Sequence, residues 1–236
     1  MIRVDRAELT RNEIIRVAAN RFLNEGYAKT TVSAMGRALN MSTGNITFHF
    51  PTKEHMLSEL VDMLCKYQWE MMEQETPVRN DAITALCLEL LTIASACEQD
   101  EIAKEFFLAS YTSPLCLEII RKNDMERARR VFDTYCPDWS EEQYIEAEAL
   151  VSGIEYATLM TTDTAVSLAV RIQSALETIL TIYNVPKDVQ KQKIARVLEL
   201  DYKTLGLQTL EKFRNYVDNE TEQSLISLLA RKPMAQ

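Results

Sequence analysis

The chain has 236 residues, 47% of them apolar, with 5 glycines, 6 prolines and a formal net charge of −9. So few helix breakers among so many apolar residues argue for long helices joined by few loops, in two modest domains or one elongated helical body. No apolar run reads as long enough to span a bilayer and no signal peptide is recognised. Five cysteines (65, 87, 97, 116 and 136), never in a C-x-x-C pair, fit free thiols in a reducing cytoplasm better than a disulfide framework or a zinc site.

Thr10 with Glu13 is spaced as a capping box for a first helix, whose Ile14, Ile15, Ala18, Ala19 and Phe22 form one apolar face and which Gly26 ends. Thr31 is placed to cap a short second helix carrying Val32, Met35 and Ala38 on one face. Asn40 falls where the chain must turn sharply, and Asn tolerates the left-handed conformation. Ser42 then caps another short helix, with Thr43, Asn45, Thr47 and Phe48 close together and Ile46 and Phe50 facing inward. Thr52 starts a long helix from Lys53 to about Glu75, stopped by Thr76-Pro77. Two short helices joined by a tight turn, the second bearing small polar groups, have the geometry that enters a major groove.

These residues carry a resemblance. Thr30-Thr31, then Ser42-Thr43-Gly44-Asn45-Ile46-Thr47-Phe48-His49-Phe50, then Thr52-Lys53-Glu54 resemble the pattern of the TetR/AcrR family of bacterial repressors over roughly residues 7 to 60. Three positions depart from it: Thr47 stands where a DNA-contacting tyrosine is usual, Asn40 replaces the turn glycine, and Gly36 replaces an alanine at about 1 kcal/mol in helix propensity. The resemblance implies that Thr43, Gly44, Asn45 and Phe48 face base edges or the groove, and that Thr30, Thr31, His49 and Lys53 meet phosphates, with Thr47 beside them. His49 has the alternative of packing locally, and Lys53 that of a solvated first-turn residue.

Charge supports a head on a differently charged body. Residues 1–54 hold eight Lys/Arg against five Asp/Glu, while the remainder carries 18 basic and 30 acidic residues. Such a body is repelled by DNA and such a head is attracted.

Beyond residue 75, helices fit residues 79 to 98, 101 to 111, 114 to 135, 140 to 161 and 164 to 184, with breaks at Gln99-Asp100, Ser113-Pro114, Cys136-Pro137-Asp138 and Asp163. Ser140 with Gln143 is a second capping box. The helix at 140–161 carries Ala147, Ala149, Ser152, Gly153 and Ala157, which permit close approach. The next is apolar over more than one face through Val166, Ala169, Val170, Ile172, Leu176, Ile179, Leu180 and Tyr183. This pair is the candidate homodimer interface, although a purely intrachain core would explain the pattern too; the family resemblance implies the interface. Helices at 187–204 and 207–230 form a C-terminal extension.

The expected fold is therefore all-α: a helix-turn-helix DNA-binding domain at 1–54, a helical ligand-sensing and dimerisation domain at 55–184, and the extension at 185–236. Trp69, Met71, Met72, Phe106, Phe107, Tyr111, Tyr156 and Met160 are candidates to line a pocket for a small hydrophobic or aromatic inducer, although any one of them reads first as core. Glu105 and Glu155 could meet a cationic ligand but read as solvated. No phosphate loop, nucleophile elbow or metal cluster is recognised, so no enzyme and no cofactor are expected. The expected protein is a cytoplasmic bacterial regulator that binds a double-stranded DNA operator as a homodimer. Control by a protein partner, or by oxidation of Cys87 with Cys97 or Cys116 with Cys136, is the alternative.

Overall fold

The computed structural model describes residues 6–74, 81–162 and 166–230, which form eleven helices and no strand. The expected stop at Thr76-Pro77 and the break at Asp163 lie outside the described residues. Helix α1 (Arg6–Asn24) begins a turn earlier than the capping box implied, because Ala7, Glu8 and Leu9 extend it and leave Thr10 inside. Its apolar face is as expected: Ile14, Ile15, Ala18, Ala19 and Phe22 are all buried. Gly26, at φ +97°, turns the chain away.

Helices α2 (Val32–Leu39) and α3 (Thr43–His49) follow. The Thr31 hydroxyl accepts the Ala34 amide at 3.1 Å, Asn40 takes the left-handed conformation at φ 52°, and the Ser42 hydroxyl accepts the Asn45 amide at 3.1 Å. Ala38 is exposed; the buried face of α2 is instead Met35 and Gly36. Gly36 has a packing reason, since a Cβ there would lie 2.7 Å from the Met41 carbonyl oxygen.

Helix α4 (Lys53–Gln74) leads from the head into a body of α5 (Ala82–Gln99), α6 (Glu101–Thr112), α7 (Pro114–Phe132), α8 (Glu141–Met160) and α9 (Leu168–Ile182). The Ser140–Gln143 capping box at α8 is formed on both sides. α5 corrects one expectation: by length and composition it is apolar enough to cross a membrane. Its apolarity has a local cause, because Leu90, Leu91, Ala94 and Cys97 are buried between α6, α8, α10 and α11.

The extension folds as α10 (Lys187–Leu198) and α11 (Tyr202–Ala230). The break falls at residues 199–201, not beside Gly206, which lies within α11. α11 packs along α5 and reaches back to α1. There Arg16 pairs with Asp218 at 3.3 Å, Asn12 donates to Ser224 at 2.9 Å, and Arg214 donates to Asn24 at 2.5 Å.

Candidate functional site

Ile46 and Phe50 are fully buried against the head's core, which holds α3 by one side. Its other side presents Thr43, Gly44, Asn45 and Phe48 to solvent. Phe48 is 80% exposed. Burying such a ring is worth about 2–3 kcal/mol to a partner that covers this face. His49 is half-buried with its ring edge-on to Phe48, centroids 5.2 Å apart. The Thr47 hydroxyl turns back to donate to the Gly44 carbonyl at 3.2 Å, so it does not reach outward as a tyrosine would.

Two residues expected at phosphates, Thr30 and Lys53, have internal partners. Thr30 is 2% exposed and its hydroxyl donates to the Gly26 carbonyl at 2.9 Å, locking the turn between α1 and α2. The half-buried Lys53 ammonium donates to the Tyr27 carbonyl at 2.7 Å and the Thr30 carbonyl at 3.1 Å, 4.0 Å above the Tyr27 ring. Burial lowers the Lys53 pKa. Thr31 remains suited to a phosphate: it is exposed, and after accepting the Ala34 amide its hydroxyl can still donate.

Sequence reasoning passed over Arg11, which spans three elements. Its guanidinium lies 4.1 Å over the Phe50 ring, donates to the His49 carbonyl at 3.2 Å and pairs with Glu59 of α4. Lys29 and Arg37, both exposed beside α2, were also passed over as sources of positive charge.

In the body, α4 to α9 enclose a cavity of about 80 Å³. Phe107 and Tyr111 line it as expected, but the other sensor candidates do not. Phe106 is buried against Phe107 and Phe213, Trp69 lies under Arg130 at 4.6 Å, and Tyr156 is 38% exposed on the outer side of α8. Met160 packs half-buried against the core. Met71 lines a neighbouring pocket, and the Met72 side chain lies outside the described residues.

The cavity is more polar than an aromatic pocket would be. Glu155, expected in solvent, lines it and accepts the Tyr111 hydroxyl at 2.9 Å; burial raises its pKa well above the usual carboxylate range. Glu148 accepts the Tyr183 hydroxyl, and burial, with Asp124 nearby, pushes its pKa up to about 8. Burial likewise lifts Asp124 to about 6, against the pull of Arg127. Arg127 is 5% exposed; one of its nitrogens pairs with Glu89 at 3.0 Å and Asp124 at 3.5 Å, while Nε and Nη1 have no hydrogen-bond partner among the described residues. A buried guanidinium donor without an acceptor is costly. These charges were hard to see in the sequence, since Glu148 is flanked by Ala147 and Ala149 and Arg127 sits in a run of charged residues.

A second pocket of about 150 Å³ lies against the first, sharing Leu64, Gln68, Glu89 and Ile93 with it. Leu205, Thr209 and Lys212 of α11 form one wall.

Helix α6 touches both cavity and head. Phe107, Ser110 and Tyr111 face the cavity, while the Glu105 carboxylate, expected in solvent, accepts the Ala28 amide in the turn after α1. Ser113, capping the junction of α6 and α7, donates to Glu54 in the first turn of α4. Helix α6 and its C-cap are thus bonded both to the turn before α2 and to the start of α4.

A helix-turn-helix head with an exposed second helix, joined to a larger helical body, defines a DNA-binding transcription regulator. Residues 14–60 match the family model of bacterial regulatory proteins of the tetR family. The match covers the head and the start of α4. Among solved structures it is similar to RolR, solved without ligand, at 15% identity over 78% of this chain and 96% of that one, with a TM-score of 0.60. It also matches TylP, a TetR regulator from Streptomyces fradiae, at 18% identity over 89% of this chain and 99% of that one, with a TM-score of 0.47. The first likeness extends the shared fold through the helical body. No curated protein matches the chain.

Proposed function

We propose that the protein is a cytoplasmic repressor that binds a near-palindromic operator as a homodimer and releases it when a small molecule fills the body cavity. The observation that carries the DNA-binding part is the outward face of α3, where Thr43, Asn45 and the 80% exposed Phe48 stand together. Asn45 is assigned to a base edge, Thr43, Gly44 and Phe48 to the groove, and Thr31 and His49 to the flanking backbone. Dimerisation is supported by the outer side of α8: Ile145 is 53% exposed, Leu150 62%, and a Cβ added at Gly153 would meet nothing within 4 Å. Ligand control is supported by α6, which contacts both the cavity and the head.

Control by thiol oxidation is disfavoured. All five cysteines are buried and free. Burial pushes the Cys87 and Cys97 thiols up to about 12 and raises Cys65 as well, so little thiolate is available to react.

The test is binding to the DNA immediately upstream of the protein's own gene, with a random duplex and a salt series alongside. Selective binding that Asn45→Ala weakens by about 10- to 150-fold, the worth of a good base contact, is the expected result. Equal, steeply salt-dependent binding to both duplexes would reduce the contact to phosphates. Release of DNA by an added protein, with no small molecule effective, would favour a protein partner as the controlling agent.

A further inference from the structure

The inner cavity has an unusual charge balance. Glu89 on α5, Asp124 on α7, and Glu148 and Glu155 on α8 face it, against Arg127 as the single cation among the described lining residues. Tyr111 and Tyr183 already direct their hydroxyls onto Glu155 and Glu148. Glu89 and Asp124 already neutralise that cation, so an anionic ligand would find no unpaired positive charge there. Arg127 nevertheless holds two buried, unpartnered N–H-bearing nitrogens, which require an acceptor that no described protein group supplies. Of the two acidic residues on α8, Glu148 is 3% exposed and Glu155 is half-buried. Phe107, Leu159 and Ile179 supply apolar wall.

We infer that the cavity binds a compact organic cation, a protonated amine on an aromatic or apolar body bearing a hydroxyl or carbonyl oxygen, with its ammonium on Glu155 and its oxygen on Arg127. The inference rests on the ligand-control reading above and supplies the chemistry of its ligand. It corrects the expectation of a purely hydrophobic inducer: the apolar wall remains, but the charged groups choose between ligands of similar shape. Binding has a proton balance. Burial raises the Glu155 pKa in the empty cavity, which favours its protonated form. The amine enters already charged, so Glu155 loses its proton to solvent as the ion pair forms. Affinity therefore rises with pH, because the departing proton leaves more readily.

The test uses three probes that share a 4-hydroxyphenyl group and differ in charge: tyramine, 4-ethylphenol and 3-(4-hydroxyphenyl)propionate. Each is titrated calorimetrically into the full chain in two buffers of different ionisation enthalpy, and separately into the protein–operator complex. Tyramine should bind most tightly and with proton release, the direction that the raised Glu155 pKa sets. The neutral phenol should release none, and the propionate should bind most weakly. Glu155→Gln should cut tyramine affinity about tenfold or more while leaving 4-ethylphenol little changed. The proton count on the unaltered protein stands even if that variant folds poorly. Preference for the propionate or the neutral phenol, no binding by any probe, or tyramine binding without proton release would overturn the inference. Tyramine binding that leaves the operator complex intact would support the ligand class and sink the ligand-control reading. Operator release by the propionate would do the reverse.

Discussion

Lys53 shows how a motif residue can sit at the expected place and do different work. Its ammonium closes the turn between α1 and α2 by holding the Tyr27 and Thr30 carbonyls, so its loss should be felt in folding first. Lys53→Ala is expected to destabilise the protein by about 1–2 kcal/mol, the worth of charge-assisted hydrogen bonds discounted for partial exposure. Asn45→Ala, on an exposed position, should leave stability within about 0.5 kcal/mol. Urea denaturation separates the two, and equal stability of both variants would return Lys53 to a purely DNA-facing role. The caps at Thr31, Asn40 and Ser42 were legible because local sequence decides them within a few residues. Thr30 and Glu155 were not, because they are tied to partners 23 and 44 positions away, Lys53 and Tyr111.

Helix positions were legible for the same reason: 3.6-residue periodicity and turn residues are local signals, and α5 to α9 fall close to their expected spans. Gly206 marks where that logic fails. Propensity suggests a break there, yet the residue is buried in α11, where a Cβ would lie 2.9 Å from the Ala96 nitrogen and 2.9 Å from Ser95 Cβ of α5. The glycine is thus a packing requirement of the neighbouring helix, which no local signal carries. Intrinsic propensity alone would make Gly206→Ala stabilising by about 1 kcal/mol. Overpacking against backbone typically costs about 1–3 kcal/mol and should win. A lowered urea midpoint is expected; a raised one would mean that α11 and α5 separate readily. Because α11 also walls the outer pocket and is tied to α1 through Asp218 and Arg16, the same variant should loosen the contact between body and head.

At the scale of the molecule, the head offers one short recognition helix, and its contacts are too few for tight, selective binding alone. Two heads fixed at a separation of about 34 to 36 Å, one turn of DNA, turn the second binding event into an intramolecular one. The outward side of α8 is where that coupling is proposed to be made, since Ala149, Leu150, Gly153 and Ala157 are all exposed there and a small-residue stripe lets a partner helix approach closely. Leu150→Lys places a charge in the middle of that face without touching the head or the cavity. It is expected to shift the protein from dimer to monomer in sedimentation, and to weaken binding to a full operator by about 10²–10⁴-fold. Binding to an isolated half-site should change little, because α3 is unaltered. A variant that remained dimeric would place the twofold contact elsewhere. A monomer with undiminished operator affinity would mean that one head suffices, and the separation of two heads could then no longer be what a ligand in the cavity controls.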